Sequence, residues 1–442
     1  MYSRTRTSPY RPIARGLAAG AAVALSTALL AGCAAEDPRP VAASGTEPIT
    51  VSVGVFGVFG YEQAGLYEEY EELNPHVTIE ENSAERNEDY YPALLDSLST
   101  GGDLNDVQAV EVANINELTS AHADDFVDLA EAPGVEQESF LPWKWDQATS
   151  GDGRVIGVGT DTGPMGVCYR KDLFSQAGLP TDREEVGALW AGDWADYVAT
   201  GERYTANAPE GTSFMDGAAG LYNGSVSSYA EKNYDRSGKL VYKSSEAVRT
   251  SWDLAMQAAE GSMTARLKQF DSAWDRAFAN GSFASVVCPS WMLGYIKEKS
   301  GEEGADQWDV AEAPRPANWG GSFLTVPEAG ANHKEAIKLV AWLTAPQQQA
   351  KLFEKQASFP SSQRALELPE VKEATHEYFG GAPIGGIFSV AALGIPTAVL
   401  GPKDQVIGES IANVGILQVE QQGKSPQEGW EAAVRRIDEA VG

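Results

Sequence analysis

Side chains spaced for catalysis are scarce in this chain of 442 residues, and the familiar patterns fail one by one. Histidine occurs only at His76, His122, His333 and His376, never at the i, i+4 spacing that gives a metal two imidazoles from one helix face. The four therefore read as surface residues. Gly423-Lys424-Ser425 has the end of a phosphate-binding loop, but Gln418 stands where its first glycine belongs and no strand precedes it. Gly54, Gly57 and Gly60 follow a strand-like run at a spacing of three, which is not the dinucleotide pattern. No Gly-x-Ser-x-Gly nucleophile turn is present. Asp271 and Asp275 flank Trp274 and would share a helix face, as a glycosidase carboxylate pair could. The plainer reading is preferred, in which Asp271 caps the helix carrying Ala273 to Ala279 and Asp275 is solvated on its first turn.

Aromatic residues are the better lead. The chain has eleven tryptophans, and Trp143, Trp145, Trp291, Trp308 and Trp319 stand beside turn residues. A flat aromatic face packs on the apolar C–H face of a pyranose ring while carboxylates and amides take the hydroxyls at its edge. That combination describes a sugar cleft. Any one of these tryptophans is as readily a core residue.

The elements that would position such a cleft alternate strand with helix. Ile49 to Val55 is a β-branched run that reads as a buried strand. A helix from Ala64 to Leu73 is stopped by Asn74-Pro75, and Val77-Thr78-Ile79 begins a second strand. A helix from Tyr90 to Ser99 and a strand from Val107 to Val112 follow. The β-α-β-α-β order predicts an α/β fold with a mostly parallel sheet and helices on both faces.

Residues 1–32 have the order of a secretory signal peptide. Arg4, Arg6, Arg11 and Arg15 precede a short apolar run from Gly16 to Leu30, too short for a permanent span. Leu30-Ala31-Gly32-Cys33 resembles the bacterial lipobox, in which the cysteine receives a diacylglycerol. Residues 33–47 then read as a lipid-anchored tether, rich in Ala, Pro, Glu and Ser. Removing 1–32 leaves 410 residues, enough for two or three domains, and takes the formal charge from −30 to about −34. So acidic a surface excludes nucleic acid as a partner and keeps the body off an anionic membrane, leaving only the anchor in contact. With Cys33 lipidated, Cys168 and Cys288 remain, each in a short apolar run. In an oxidising compartment they are expected to form a disulfide, the alternative being two buried free thiols.

Several segments, taken in order, resemble one family over nearly the whole mature chain. They are Leu66 to Pro75, ending in Asn-Pro; Leu104-Asn105-Asp106-Val107, with Asn105 where proline is usual; and Asp152 to Val158. Gly163-Pro164 through Tyr169 to Phe174 and Ala177 to Pro180 follow, then Gly281 to Ala284 and Pro289-Ser290-Trp291. Gly320-Gly321-Ser322, Val326-Pro327, Ala336 to Leu343 and Phe359-Pro360 complete the series. Together they resemble the extracellular sugar-binding lipoproteins of ABC importers, the maltodextrin-binding-like family 1 solute-binding proteins. Within that family the runs at Cys168-Tyr169-Arg170 and Cys288 to Met292 are most similar to the actinobacterial cellobiose and cello-oligosaccharide branch.

The resemblance implies a two-lobed periplasmic-binding-protein-like fold with three hinge crossings, near Asp161–Pro164, Val310–Pro314 and Ala357–Pro360. Residues 48–162 plus 312–358 would form lobe 1, and 163–311 plus 359–442 lobe 2. Ligand would bind between the lobes and favour the closed form. The expected site comprises Trp291 as stacking platform, Trp319, Gly320 and Gly321 lining the cleft, and Phe59 and Tyr61 after the first strand. Glu111, Asn114, Asp161 and Glu85 are expected at hydroxyl groups, and Phe359 as a further stacking face. No enzyme activity, metal or cofactor is expected. The expected partners are an oligosaccharide and the membrane subunits of an ABC importer, served by a monomer. Another solute, sugar or not, and an extracellular glycosidase are the alternatives.

Overall fold

The computed structural model describes residues 47–441; the signal sequence, the lipidation site Cys33 and nearly all of the tether lie outside the described residues. In chain order the strands are β1 (Ile49–Phe56), β2 (Val77–Ala84), β3 (Val107–Glu111), β4 (Gly157–Gly159), β5 (Asp161–Thr162) and β6 (Met165–Arg170). They continue with β7 (Ser213–Met215), β8 (Phe283–Pro289), β9 (Trp308–Glu312), β10 (Ser322–Thr325) and β11 (Phe359–Pro360). One sheet has the order β2-β1-β3-β10-β4, a second β7-β8-β6-β9, and β11 pairs with β5 alone. Helices flank both sheets, giving two α/β lobes.

Each sheet contains one reversed strand. In the first, β1 is parallel to β2 and β3, while β10 runs against β3 and β4. In the second, β7 is parallel to β8, while β6 runs against β8 and β9. The reversed strands are the two that the chain enters directly from the other lobe. A chain arriving at the carboxyl ends of parallel strands can join the sheet only by running down it.

Strand periodicity sorts the cores. Val51, Val53 and Val55 of β1 face the helices Leu66–Leu73 and His333–Leu343. Across the sheet, Val110 and Phe323 pack with Tyr91, Leu94, Ile115 and Leu118. In β6, Val167 and Tyr169 face one cluster and Cys168 the opposite one. The second half of β2, Glu80 to Ala84, was not foreseen as strand. It pairs in register with Ser52 to Phe56, but as an edge strand it is largely solvated and carries polar residues.

The crossings follow the expected order with one shift. β5 and β11 occupy the first and third. The return lies later than Val310–Pro314, because Val310 to Glu312 complete β9, and residues 313–321 carry the chain back.

Cys168 and Cys288 form a disulfide between β6 and β8, with Cα atoms 5.5 Å apart and both residues fully buried. It closes a sequence separation of 120 residues. Replacing both cysteines with serine, or reducing the bridge, should cost about 3–5 kcal/mol of stability, read as a lowered denaturation midpoint. An unchanged midpoint would show that packing alone holds β6 to β8.

Candidate functional site

Residues 161–165 hold all three crossings together. β5 pairs Asp161 with Pro360 and Thr162 with Phe359. The amide of Trp319 donates to the Gly163 carbonyl at 2.9 Å, and that of Met165 to the Ala317 carbonyl at 3.0 Å. Asn318 locks the pairing, its Oδ1 accepting from the Gly163 amide and its Nδ2 donating to the Gly320 carbonyl. Only glycine fits position 163, since a Cβ there would lie 1.9 Å from the Trp319 carbonyl oxygen. Gly321 adopts φ +95°, and a Cβ on it would meet the Asp161 carbonyl at 2.6 Å.

Beside this hinge opens a cleft of about 730 Å³, a size suited to small molecules. Glu111, Val112 and Ala113 line it from the first lobe, at the carboxyl end of β3 and the start of the helix Val112–Ala121. The second lobe supplies Asn223, Lys268, Gln269, Phe270, Gln405, Glu409 and Asn413, and the return crossing Asn318, Trp319 and Gly320. The lining thus joins amides and carboxylates to two aromatic rings. Phe270 is 53% exposed. Its ring stacks on Trp291 at 6.2 Å and meets Trp319 and Tyr295 edge-on at 6.3 and 6.1 Å.

The expected residues divide into four groups. Glu111, Trp319 and Gly320 line the cleft. Phe59, Tyr61 and Asp161 instead line a smaller recess of about 220 Å³ with Thr160 and Ser322. There the Asp161 Oδ1 already accepts from the Ser322 amide and the Thr160 hydroxyl, while the buried Tyr61 hydroxyl has no partner among the described residues. Trp291 and Gly321 stand behind the lining: the Trp291 indole donates to the Trp319 carbonyl at 2.9 Å and supports its neighbour's ring from the side.

The remaining three stand outside the lining of the cleft. Asn114 is buried; it accepts from Asn87 and donates to Gln405 of the other lobe at 3.4 Å, so it ties lobes together. Glu85 is exposed just beyond β2 and its neighbours Arg86 and Glu88 reach the cleft in its place. Phe359 is fully buried between Phe353 and Phe388 and offers no face for stacking. Trp143, Trp145 and Trp308 are likewise core residues; the Trp143 indole donates to the Ala392 carbonyl.

Phe270 was missed because an apolar residue just before a helix cap reads as a staple against the first turn. Asp271 is that cap, accepting from the amides of Ala273 and Trp274, and Asp275 meets Tyr295 and Lys299. Among the described residues no group of histidine, cysteine and acidic side chains is placed to hold a metal.

The floor of the cleft is electrostatically coupled. Burial pushes the Glu111 carboxyl up to about 7, opposed by the Ala113 amide and Lys144 and reinforced by Asp161 and Glu409. Lys144 is fully buried, its Nζ 3.8 Å from the centre of the Phe323 ring and without a hydrogen-bond partner among the described residues. Burial lowers it to about 8, while Asp161 and Glu111 hold its charge. Nothing in the pattern Pro142 to Gln147 betrays a lysine pointing inward.

Two lobes around a hinged cleft of mixed polarity with an aromatic wall define a ligand-binding protein of the two-lobed periplasmic type. The chain belongs to the bacterial extracellular solute-binding proteins, whose family profile matches residues 65–379. That family binds solutes and is not one of enzymes. A solved extracellular solute-binding protein of family 1 superposes with a TM-score of 0.83 at 37% identity, over 89% of this chain and 100% of that one. The ABC transporter-associated binding protein of B. animalis subsp. lactis Bl-04, solved with β-1,6-galactobiose, superposes at 0.70 with 19% identity. The superposition covers 89% of this chain and 97% of that one, a likeness of fold. The lactose-binding protein of Rhizobium radiobacter is 24% identical over 280 residues, 60% of this chain and 64% of its own length.

The buried acids make stability depend on pH. Glu111 and Glu420 stand at about 7 and Asp216 at about 6, all raised by burial. Carboxyls raised on folding take up protons, so stability grows as pH falls through these values. Lys144 acts oppositely only above pH 8, where the unfolded chain holds the extra proton. Unfolding at pH 5.5 should therefore require more free energy than at pH 7.5, by on the order of 2–4 kcal/mol. Calorimetry checks this, and a melting temperature that falls on acidification to pH 5.5 refutes it.

Proposed function

We propose that this protein captures an oligosaccharide in the interlobe cleft and delivers it to an ABC importer, held at the cell surface by a lipid on Cys33. The observation that carries the reading is the wall of Phe270 and Trp319 opposite amides and carboxylates. Rings present flat apolar area to a pyranose face, and Gln269, Asn318 and Gln405 present donors and acceptors to its hydroxyls. The lobe bounds given above, with the return moved past Glu312, and a monomeric state are part of this proposal.

A β-linked gluco- or galacto-oligosaccharide is the favoured ligand, with cellobiose or a cello-oligosaccharide first. Equatorial β-1,4 links make an extended ribbon with two apolar faces, which suits adjacent rings. The lactose-binding relative supports the same linkage class, lactose being β-1,4-linked and differing from cellobiose at a single hydroxyl. A carboxyl at about 7 in a cleft could also equip a glycosidase acid, but the family is one of binding proteins.

Intrinsic tryptophan fluorescence and thermal melting of the chain from residue 34 onward, against cellobiose, cellotriose, lactose, maltotriose and β-1,6-galactobiose, test this. Ligand at a hundredfold excess over its dissociation constant should add about 2.7 kcal/mol of stability. Recovery of the sugar uncut, with a shift for the β-linked members, supports the reading. Silence with every saccharide sinks it, and release of shorter sugar would restore the glycosidase.

A further inference from the structure

Phe270 is held in a conformation that a bulky side chain avoids. Its φ is +66°, Arg266 in the same loop has φ +56°, and the ring is more than half exposed. Such backbone persists only where its surroundings over-determine it. Asp271 fixes the loop from one side as a helix cap. The other support is Asp216, which is 1% exposed just after β7. Its Oδ2 accepts from the Gln269 side-chain Nε2 at 2.9 Å and the Trp274 indole at 2.8 Å, so it grips residues on both sides of Phe270. Its backbone carbonyl accepts from the Leu267 amide, and Met215 pairs with Thr264 and Ala265.

We propose that Asp216 is a positioning residue for ligand capture, holding Phe270 at the cleft wall through Gln269 and Trp274 without touching ligand itself. This rests on the reading of Phe270 as a ligand platform. A buried carboxylate is a costly way to hold an indole and an amide unless charge-assisted bonds to both are needed. Among the described residues, the groups facing Asp216 leave it without a cationic partner. Glu420 approaches from the helix Leu417–Gln422 and Tyr197 from the helix Trp194–Thr205, while Arg266 lies beside Glu420. Burial raises the carboxyl to about 6, so acidification replaces the charge-assisted bonds with weaker neutral ones.

The test combines a double-mutant cycle with a reading that needs no ligand. D216A should weaken the binding of cellotriose, or of whichever panel sugar the protein takes, at least tenfold, and D216N less. In an F270A background the same change at Asp216 should have no further effect on affinity. Without ligand, the Trp274 indole N–H resonance should titrate near pH 6 and stop doing so in D216N. Contacts between the Phe270 and Trp319 rings, seen as nuclear Overhauser effects, should be lost in D216A. An equal loss of affinity in both backgrounds, or ring contacts that survive D216A, overturns the positioning role. If F270A alone leaves affinity unchanged, the platform reading fails, and the ring contacts still decide whether Asp216 holds the loop.

Discussion

Five consecutive residues, 161–165, tie the three crossings into one hydrogen-bonded strip, and the geometry of both lobes follows from it. Because the chain must leave and re-enter each sheet at the end nearest its partner, β6 and β10 have to run against their neighbours. Glycine at 163 lets the strip close, and Asn318 satisfies backbone groups that the pairing leaves over. The cleft sits beside the strip because the carboxyl ends of the parallel strands come together there. A hinge built this way can bend at its ends without breaking its middle.

The second tie between lobes is weaker and of a different kind. Asn114 meets Gln405 across the mouth of the cleft, and Leu400 packs on the first-lobe cluster around Ile115 while its neighbour Val399 packs in the second lobe. This long amide contact and aliphatic packing contrast with the buried ties between the lobes, the strip at 161–165 and the Trp143 indole that donates to the Ala392 carbonyl. Glu111 and Glu409 reinforce the distinction, since two acids from opposite lobes resist approach unless one is protonated or something lies between them.

The sequence made legible those features that depend on burial patterns. β1 and β3 are apolar runs because they are covered on both faces, and Cys168 and Cys288 sit in such runs for the same reason. The polar half of β2 was illegible, because an edge strand needs no apolar residues to pair. Site residues were harder to read than the fold. A tryptophan beside a turn residue can face either way, and Trp143, Trp145 and Trp308 face inward where Trp319 does not. Phe359 stands at a crossing, yet the crossing's inner side is core. Lys144 and Asp216 were invisible, since no local pattern signals a buried charge whose partners come from distant segments.

On the proposed function, exposure and not abundance identifies the working aromatics, and Phe270 is the instance. Most of the tryptophans are spent on cores, and the chain then holds a phenylalanine ring in water on strained backbone. Four rings surround it, so its orientation is set before any ligand arrives, and little side-chain freedom is left to lose on binding. That platform belongs to the second lobe. A ligand stacked there, as proposed, shares the cleft with Glu111 and the start of the helix Val112–Ala121 from the first lobe. Contacts made in one state and not the other are the ones that shift an equilibrium. If stacking captures the ligand, the first-lobe polar groups are what close the protein around it.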